Sequence, residues 1–173
     1  MDNKWTVLET DNDAALKISA ETGLTPLTAR ILCTRGQNTP KKVRDFLSAN
    51  EGCRYNPFLL KDMDKAVERI NKAIERKERV CIYGDYDVDG VTSTTVLYMY
   101  LTEKGVPCTY FIPGRLEDGY GLNKRVIESF KGNTDLIVTV DTGITAVEET
   151  EYARSIGIDM VITDHHSCRE VLP

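Results

Sequence analysis

Leu136-Ile137-Val138-Thr139-Val140, followed at once by Asp141-Thr142-Gly143, decides the fold class of this 173-residue chain. Five apolar or β-branched residues without alternation describe a strand covered on both faces. Strands of that kind belong to parallel sheets flanked by helices. The rest of the chain keeps to the same pattern. Upstream, Val80-Cys81-Ile82-Tyr83 is a second short apolar run, closed by Gly84, and residues 108–112 form a third. Downstream, Met160-Val161-Ile162-Thr163 is a fourth. Helical patterns lie between them. Met63, Ala66, Val67, Ile70 and Ile74 recur at helical spacing with Lys, Glu and Arg between. Residues 91–103, 122–131 and 145–155 read as further helices stopped by Gly105, Gly132 and Gly157. Strands alternating with helices imply right-handed crossovers and an α/β fold: a mostly parallel sheet with helices on both faces.

The N-terminal third has no strand pattern. Asp11 to Thr22 reads as a helix with Gly23 as its stop, and Thr25-Pro26 and Thr39-Pro40 each pair an N-cap with proline at the first helical position. We therefore expect a small helical lobe over 1–57, with 52–57 as linker, and the α/β domain over 58–173.

Composition narrows the function. A net charge of −5 argues against a protein that coats duplex DNA through bulk charge. No apolar run reaches the roughly 20 residues of a membrane span, and Met1-Asp2-Asn3-Lys4-Trp5 does not open a secretory signal. A cytoplasmic location without membrane contact is the expectation. The five cysteines contain no Cys-x-x-Cys pair, which excludes structural zinc of that type and a disulfide framework.

Three acidic motifs share one placement. Asp85-Tyr86-Asp87-Val88-Asp89-Gly90, Asp141-Thr142-Gly143 and Asp164-His165-His166 each lie just beyond a strand. In an open parallel sheet those ends form one edge, where ligands bind. Clustered carboxylates repel unless a cation compensates them, and oxygen donors with one imidazole suit Mn²⁺ or Mg²⁺. A single Asp after a strand is equally well a helix N-cap; three at equivalent positions are better explained together. Adjacent His165 and His166 diverge, so one can meet a metal and the other a substrate. Ser93 and Thr94, with Thr92 and Thr95, open a helix and offer an anion site or ordinary capping. Arg115 and the Gly119-Tyr120-Gly121 turn form a polar loop at the same edge, either a binding loop or a plain connection. An EF-hand is excluded because Val96 occupies the loop's twelfth position, where a bidentate Glu is needed. Lys124 breaks a dinucleotide fingerprint, and no phosphate loop of the nucleotide-triphosphatase kind is present.

Taken with Tyr83-Gly84, the three motifs resemble those of the DHH phosphoesterases, and within them the bacterial exonucleases specific for single-stranded DNA. Arg35-Gly36, Phe46-Leu47, Asp62-Met63 and Gly119-Tyr120-Gly121-Leu122 extend the likeness along nearly the whole chain. The resemblance implies a two-metal site, usually Mn²⁺ and otherwise Mg²⁺, that hydrolyses phosphodiesters by in-line attack of water. It implies Asp87, Asp89, Asp141 and His165 as metal ligands, with Asp141 bridging both ions. His166 would contact the scissile phosphate, and Asp85 and Asp164 would orient the ligands from outside. Tyr83 stands where many relatives have a histidine that completes one metal shell. Single-stranded DNA is the implied substrate, degraded from 5′ to 3′ in recombination and repair, with a single-strand-binding protein and a helicase as implied partners. Two other outcomes fit the same motifs. One is a DHH phosphoesterase acting on short oligonucleotides, cyclic dinucleotides or pyrophosphate; the other is a non-catalytic binding module. The family also has a later metal-binding Asp and a second half-domain with a Gly-rich substrate motif, neither of which lies within 1–173. These residues are therefore expected to be the N-terminal part of an exonuclease and nearly inactive alone.

Overall fold

The computed structural model describes residues 6, 8–48, 55–114 and 121–173. The chain divides into two compact units, Met1–Leu59 and Leu60–Pro173. In the first, α1 (Asn12–Thr22), α2 (Pro26–Thr34) and α3 (Pro40–Leu47) enclose Ala15, Ile18, Ala29, Leu32 and Val43. Each helix starts at a side-chain cap. Asp11, Thr25 and Thr39 accept from the backbone N–H three residues on, satisfying a donor that the first turn leaves unpaired. A 3₁₀ turn at Pro57–Leu59 closes this unit. Of the expected linker over 52–57, residues 52–54 lie outside the described residues, and Pro57 already belongs to the 3₁₀ turn.

The second unit begins with α4 (Met63–Arg76) and continues β1 (Val80–Tyr83), α5 (Val88–Glu103), β2 (Cys108–Phe111), α6 (Lys124–Ser129), β3 (Leu136–Val140), α7 (Val147–Ser155) and β4 (Asp159–Thr163). All strand pairs are parallel, in the order β2-β1-β3-β4. Helices cover both faces, as expected. On one face Val80, Ile82, Leu136 and Val138 pack with Ala73 of α4 and Leu101 of α5. On the other, Cys81, Tyr83 and Ile137 pack with Ile127 of α6 and Ala153 of α7. Burying each large aliphatic side chain of this kind is worth about 2 kcal/mol.

Chain order leaves β1 in opposite directions, toward β2 and toward β3. The β1–β3 boundary is therefore the topological switch point, where a crevice opens at the carboxyl ends. The registers pair Tyr83 with Thr139, and Val140 with Thr163. Carried past the strand ends, they set Asp85 level with Asp141, and Asp141 level with Asp164.

At the opposite edge a clamp ties β1 to β3. Asp135 accepts from the Arg79 backbone N–H at 2.8 Å and from its guanidinium at 2.6 and 3.0 Å, and Asp135 N–H donates to Arg79 O at 2.9 Å. The Arg79 side chain and backbone bonds hold the Asp135 carboxyl down at about 2. A carboxyl depressed on folding stabilises above its unfolded pKa, and that gain is lost as pH falls toward 2. Both side chains are about two-fifths exposed, so solvent screens much of the gain. Asp135→Asn is expected to cost about 1 kcal/mol at pH 7. Denaturant titrations should show the difference narrowing between pH 4 and pH 2; a constant difference would refute the electrostatic account.

Candidate metal centre

β1 delivers Gly84 and Asp85 to the crevice, and α5 starts immediately afterwards. The helix opens at Val88 rather than at the expected Val91, because Asp87 is its cap. Asp87 Oδ1 accepts the N–H groups of Asp89 and Gly90 at 2.9 and 3.1 Å. This close start depends on glycine at 90: an added Cβ would lie 2.4 Å from Asp85 O and 2.6 Å from Asp85 N. The first turn of α5 therefore rests on the Asp85 backbone and fixes Asp87 beside it.

β3 delivers Asp141 in the left-handed region, at φ 60. Its N–H donates to Thr163 O at 3.0 Å and extends the β3–β4 ladder by one residue. Asx side chains tolerate this conformation better than most. From β4, the Asp164 side chain is 2% exposed. Its Oδ2 accepts Ile144 N–H at 2.9 Å, its Oδ1 accepts His166 N–H at 3.0 Å, and the same oxygen lies 2.7 Å from His166 Nδ1. One buried carboxylate thus joins the loop after β3 to the loop after β4 and sets the His166 ring. Burial pushes the Asp164 carboxyl up, but the bonds from Ile144 and His166 outweigh it and hold it below the usual range. The Asp164 hydrogen bond raises the His166 imidazole above its ordinary value.

The side chains converge in two donor groups. Asp85, Asp87 and Asp141 offer oxygens within 4.8 Å of one another, and so do Asp141, His165 and His166 with oxygen and nitrogen atoms. Asp141 belongs to both. Its two oxygens and Asp85 Oδ1 are buried and have no hydrogen-bond partner among the described residues. His165 Nε2 stands 2.9 Å from Asp141 Oδ1 at charge-pair distance, yet the contact does not count among that oxygen's hydrogen bonds. Burial first, and the Asp87 charge second, raise the Asp141 carboxyl. Asp87 is lowered, first by Gly90 N–H. Unpartnered carboxylate oxygens are costly to bury, and a divalent cation removes that cost. Carboxylates joined by imidazole are a donor set that Mn²⁺ or Mg²⁺ accepts, so the residues fit the metal pair that the family resemblance implies.

Other expected site residues sit elsewhere. Asp89 is exposed in the first turn of α5, and its carboxylate is in neither group. Thr94, expected to bind substrate, is packed against the end of β1. It is 3% exposed, and Gly84 lies so close that a Cβ there would stand 2.2 Å from Thr94 Oγ1. The reason is helical phase: α5 turns position 94 toward the sheet. Ser93 lines a separate shallow hollow with Thr92, Val96, Leu97 and Tyr100. Arg115 lies outside the described residues.

A cavity of about 1110 Å³ adjoins the second donor group, lined in part by Gly121, Leu122, Thr142, Asp164, His166 and Arg169. Arg169 is the one cation among the described lining residues and escaped the sequence reading. Its signal was a single basic residue three positions after the last histidine.

The family described as DHH family, N-terminal domain, matches residues 79–173. The single-stranded-DNA-specific exonuclease RecJ of Bacillus subtilis is 40% identical over 98% of this chain and 22% of its own length. That of Escherichia coli is 35% identical over 87% of this chain and 26% of its own length. A crystal structure of exonuclease RecJ bound to manganese superposes with a TM-score of 0.63 at 35% identity, over 66% of this chain and 30% of that one. RecJ in complex with Mn²⁺ from Thermus thermophilus gives 0.65 at 25% identity, over 93% and 22%. The chain thus spans about a fifth to a quarter of the curated relatives it matches. With the family match covering more than half of its residues and the three acidic motifs gathered at one sheet edge, this chain belongs to the DHH family.

Proposed function

We propose that this chain carries the metal-holding half of a single-stranded-DNA exonuclease that cleaves phosphodiesters from the 5′ end, in recombination and repair. The observation that supports it most is the pair of donor groups sharing Asp141, beside a cavity that His166 and Arg169 line. The likeness to the named exonucleases includes the helical lobe, which favours this reading over other DHH phosphoesterases. We assign residues 1–57 to that lobe and 58–173 to the DHH domain. Single-strand-binding protein and helicase partners rest on family resemblance alone. A cytoplasmic address accords with the free thiols of Cys33, Cys81, Cys108 and Cys168. Among the described residues, no helix is long and apolar enough to cross a membrane.

In this reading Asp87, Asp89, Asp141 and His165 would hold two Mn²⁺ or Mg²⁺ ions, Asp89 by a change of rotamer, and Asp85, first read as an orienting group, stands close enough to Asp87 and Asp141 to join them. When bound, such ions stabilise the charge that builds on the phosphate in the transition state. The chain's own residues do the rest. Asp164 binds His166 at Nδ1 and fixes the ring, so that the imidazole meets a phosphate oxygen in the cavity. Arg169 supplies a positive charge there, and the Asp164–Ile144 bond keeps the loop carrying Thr142 and Gly143 in place.

The test is a Mn²⁺-dependent degradation assay on protein expressed from the whole reading frame. Substrates are 5′-labelled single strands, duplex, short oligonucleotides, a cyclic dinucleotide and pyrophosphate. Single strands should be degraded fastest, and His165→Ala should lower the rate by about 100-fold. Residues 1–173 alone, which span 22% of the B. subtilis relative, should be at least about 100-fold slower than it, because loss of alignment with the attacking water is costly. Faster hydrolysis of the cyclic dinucleotide would favour another phosphoesterase, and metal-independent binding without cleavage would favour a binding module.

A further inference from the structure

Tyr83 is fully buried at the end of β1, two residues before Asp85. Its ring packs at 5.1 Å from Phe111, which in turn lies 5.9 Å from Phe130. Two neighbours in this aromatic cluster are phenylalanines, so filling the space does not require a hydroxyl. The hydroxyl nonetheless reaches out of the cluster: Tyr83 Oη donates to Gly121 O at 3.1 Å. Gly121 lies outside every strand and helix, at φ 86, and no sheet ladder holds it. Gly121 and Leu122 line the large cavity together with Thr142, Asp164 and His166. Leu122 also packs against the core cluster that contains Tyr83. A single side chain therefore runs from the strand that delivers Asp85 to the backbone that forms a wall of the cavity.

We propose that Tyr83 is a positioning residue. Its hydroxyl fixes the Gly121–Leu122 wall against which a nucleotide of the substrate strand seats, while the donor groups and His166 handle the phosphate. This rests on the cavity being the substrate site of the proposed exonuclease. Phenylalanine keeps the ring packing and removes the hydroxyl that bonds Gly121 O, so the fold is retained and the wall is released.

The experiment is Tyr83→Phe in protein from the whole reading frame, read in three ways. Amide exchange at 121–123 should quicken about tenfold while β1 and β3 are unchanged. KM for a single-stranded oligonucleotide should rise about fivefold with kcat within twofold, the signature of lost binding rather than lost chemistry. Mn²⁺ affinity, titrated calorimetrically, should not move. Unchanged exchange at 121–123 would overturn the proposal, as would faster exchange with an unchanged KM, or a fall in kcat alone. If the wild type leaves single strands intact, the exonuclease reading falls. Thymidine 5′-monophosphate then serves as the probe: weaker binding to the variant together with faster exchange supports the role of Tyr83, and equal binding rejects it.

Discussion

Asp141→Asn should abolish the rise in melting temperature that Mn²⁺ gives the wild-type chain. Asp141 is the member common to both donor groups, and each of its oxygens is buried without a hydrogen-bond partner among the described residues. A ligand that binds only the folded state at 100 times its dissociation constant stabilises by about 2.7 kcal/mol. For a unit of this size that is a shift of roughly 10 °C. Asparagine keeps the shape and tolerates the φ of 60 at this position, so the comparison reports charge rather than backbone strain. The metal-free variant should be no less stable than the wild type at pH 7. Burial and Asp87 raise the folded-state pKa of Asp141, so its ionised form opposes folding once pH passes that value. Removing the charge removes this cost. In the proposed two-ion site both ions would lose a ligand together, so nuclease activity of protein from the whole reading frame should fall by about 10⁴-fold, more than for a ligand of one ion. A Mn²⁺ shift in the variant equal to that of the wild type would remove Asp141 from the metal site.

Gly90→Ala should be the most destabilising single-methyl change in the second unit. The new Cβ meets backbone atoms of Asp85 at 2.4 and 2.6 Å, and backbone cannot swing aside as a side-chain tip can. Relief requires α5 to lift from the end of β1, which opens the core around Leu101 and separates Asp87 from Asp85. The expected cost is about 3 kcal/mol or more, at the upper end for overpacking. Gly157→Ala is the control. It has nothing within 4 Å but a φ of 85, so it pays only the backbone penalty of about 1 kcal/mol. Chemical denaturation of the two variants should separate them clearly. Equal losses would mean that the close seating of α5 on Asp85 is not what holds the site together.

How far the sequence was legible follows from burial. β1 and β3 occupy the residues read for them, because both are central strands whose apolar runs are covered on two faces. Edge strands blurred. β2 ends at Phe111, one residue early, and Thr109 and Tyr110 are exposed; β4 gains Asp159 at its start. Helix starts blurred for a local reason. Asp87, Asp89 and Gly90 all look like boundary residues in sequence, and only the hydrogen bonds select Asp87 as the cap. The same choice governs the donors. The resemblance implies Asp87 and Asp89 as ligands with Asp85 outside them, whereas the cap places Asp89 on the helix and leaves Asp85 at the strand end beside Asp141. At Thr94 a hydroxyl near a helix start suggests a ligand, whereas the helix phase turns this one to Gly84.

The level row of Asp85, Asp141 and Asp164 has an evolutionary consequence. Neighbouring strands of a sheet stand about 4.8 Å apart, a spacing set by peptide hydrogen bonds and indifferent to side chains. The interval between these acidic positions is therefore inherited from the backbone. Any parallel sheet in this register already has a graduated edge, and a handful of codon changes at equivalent steps would furnish it with anionic groups at workable intervals. Erasure is as economical: the same few codons, reverted, would leave an intact scaffold available for another task.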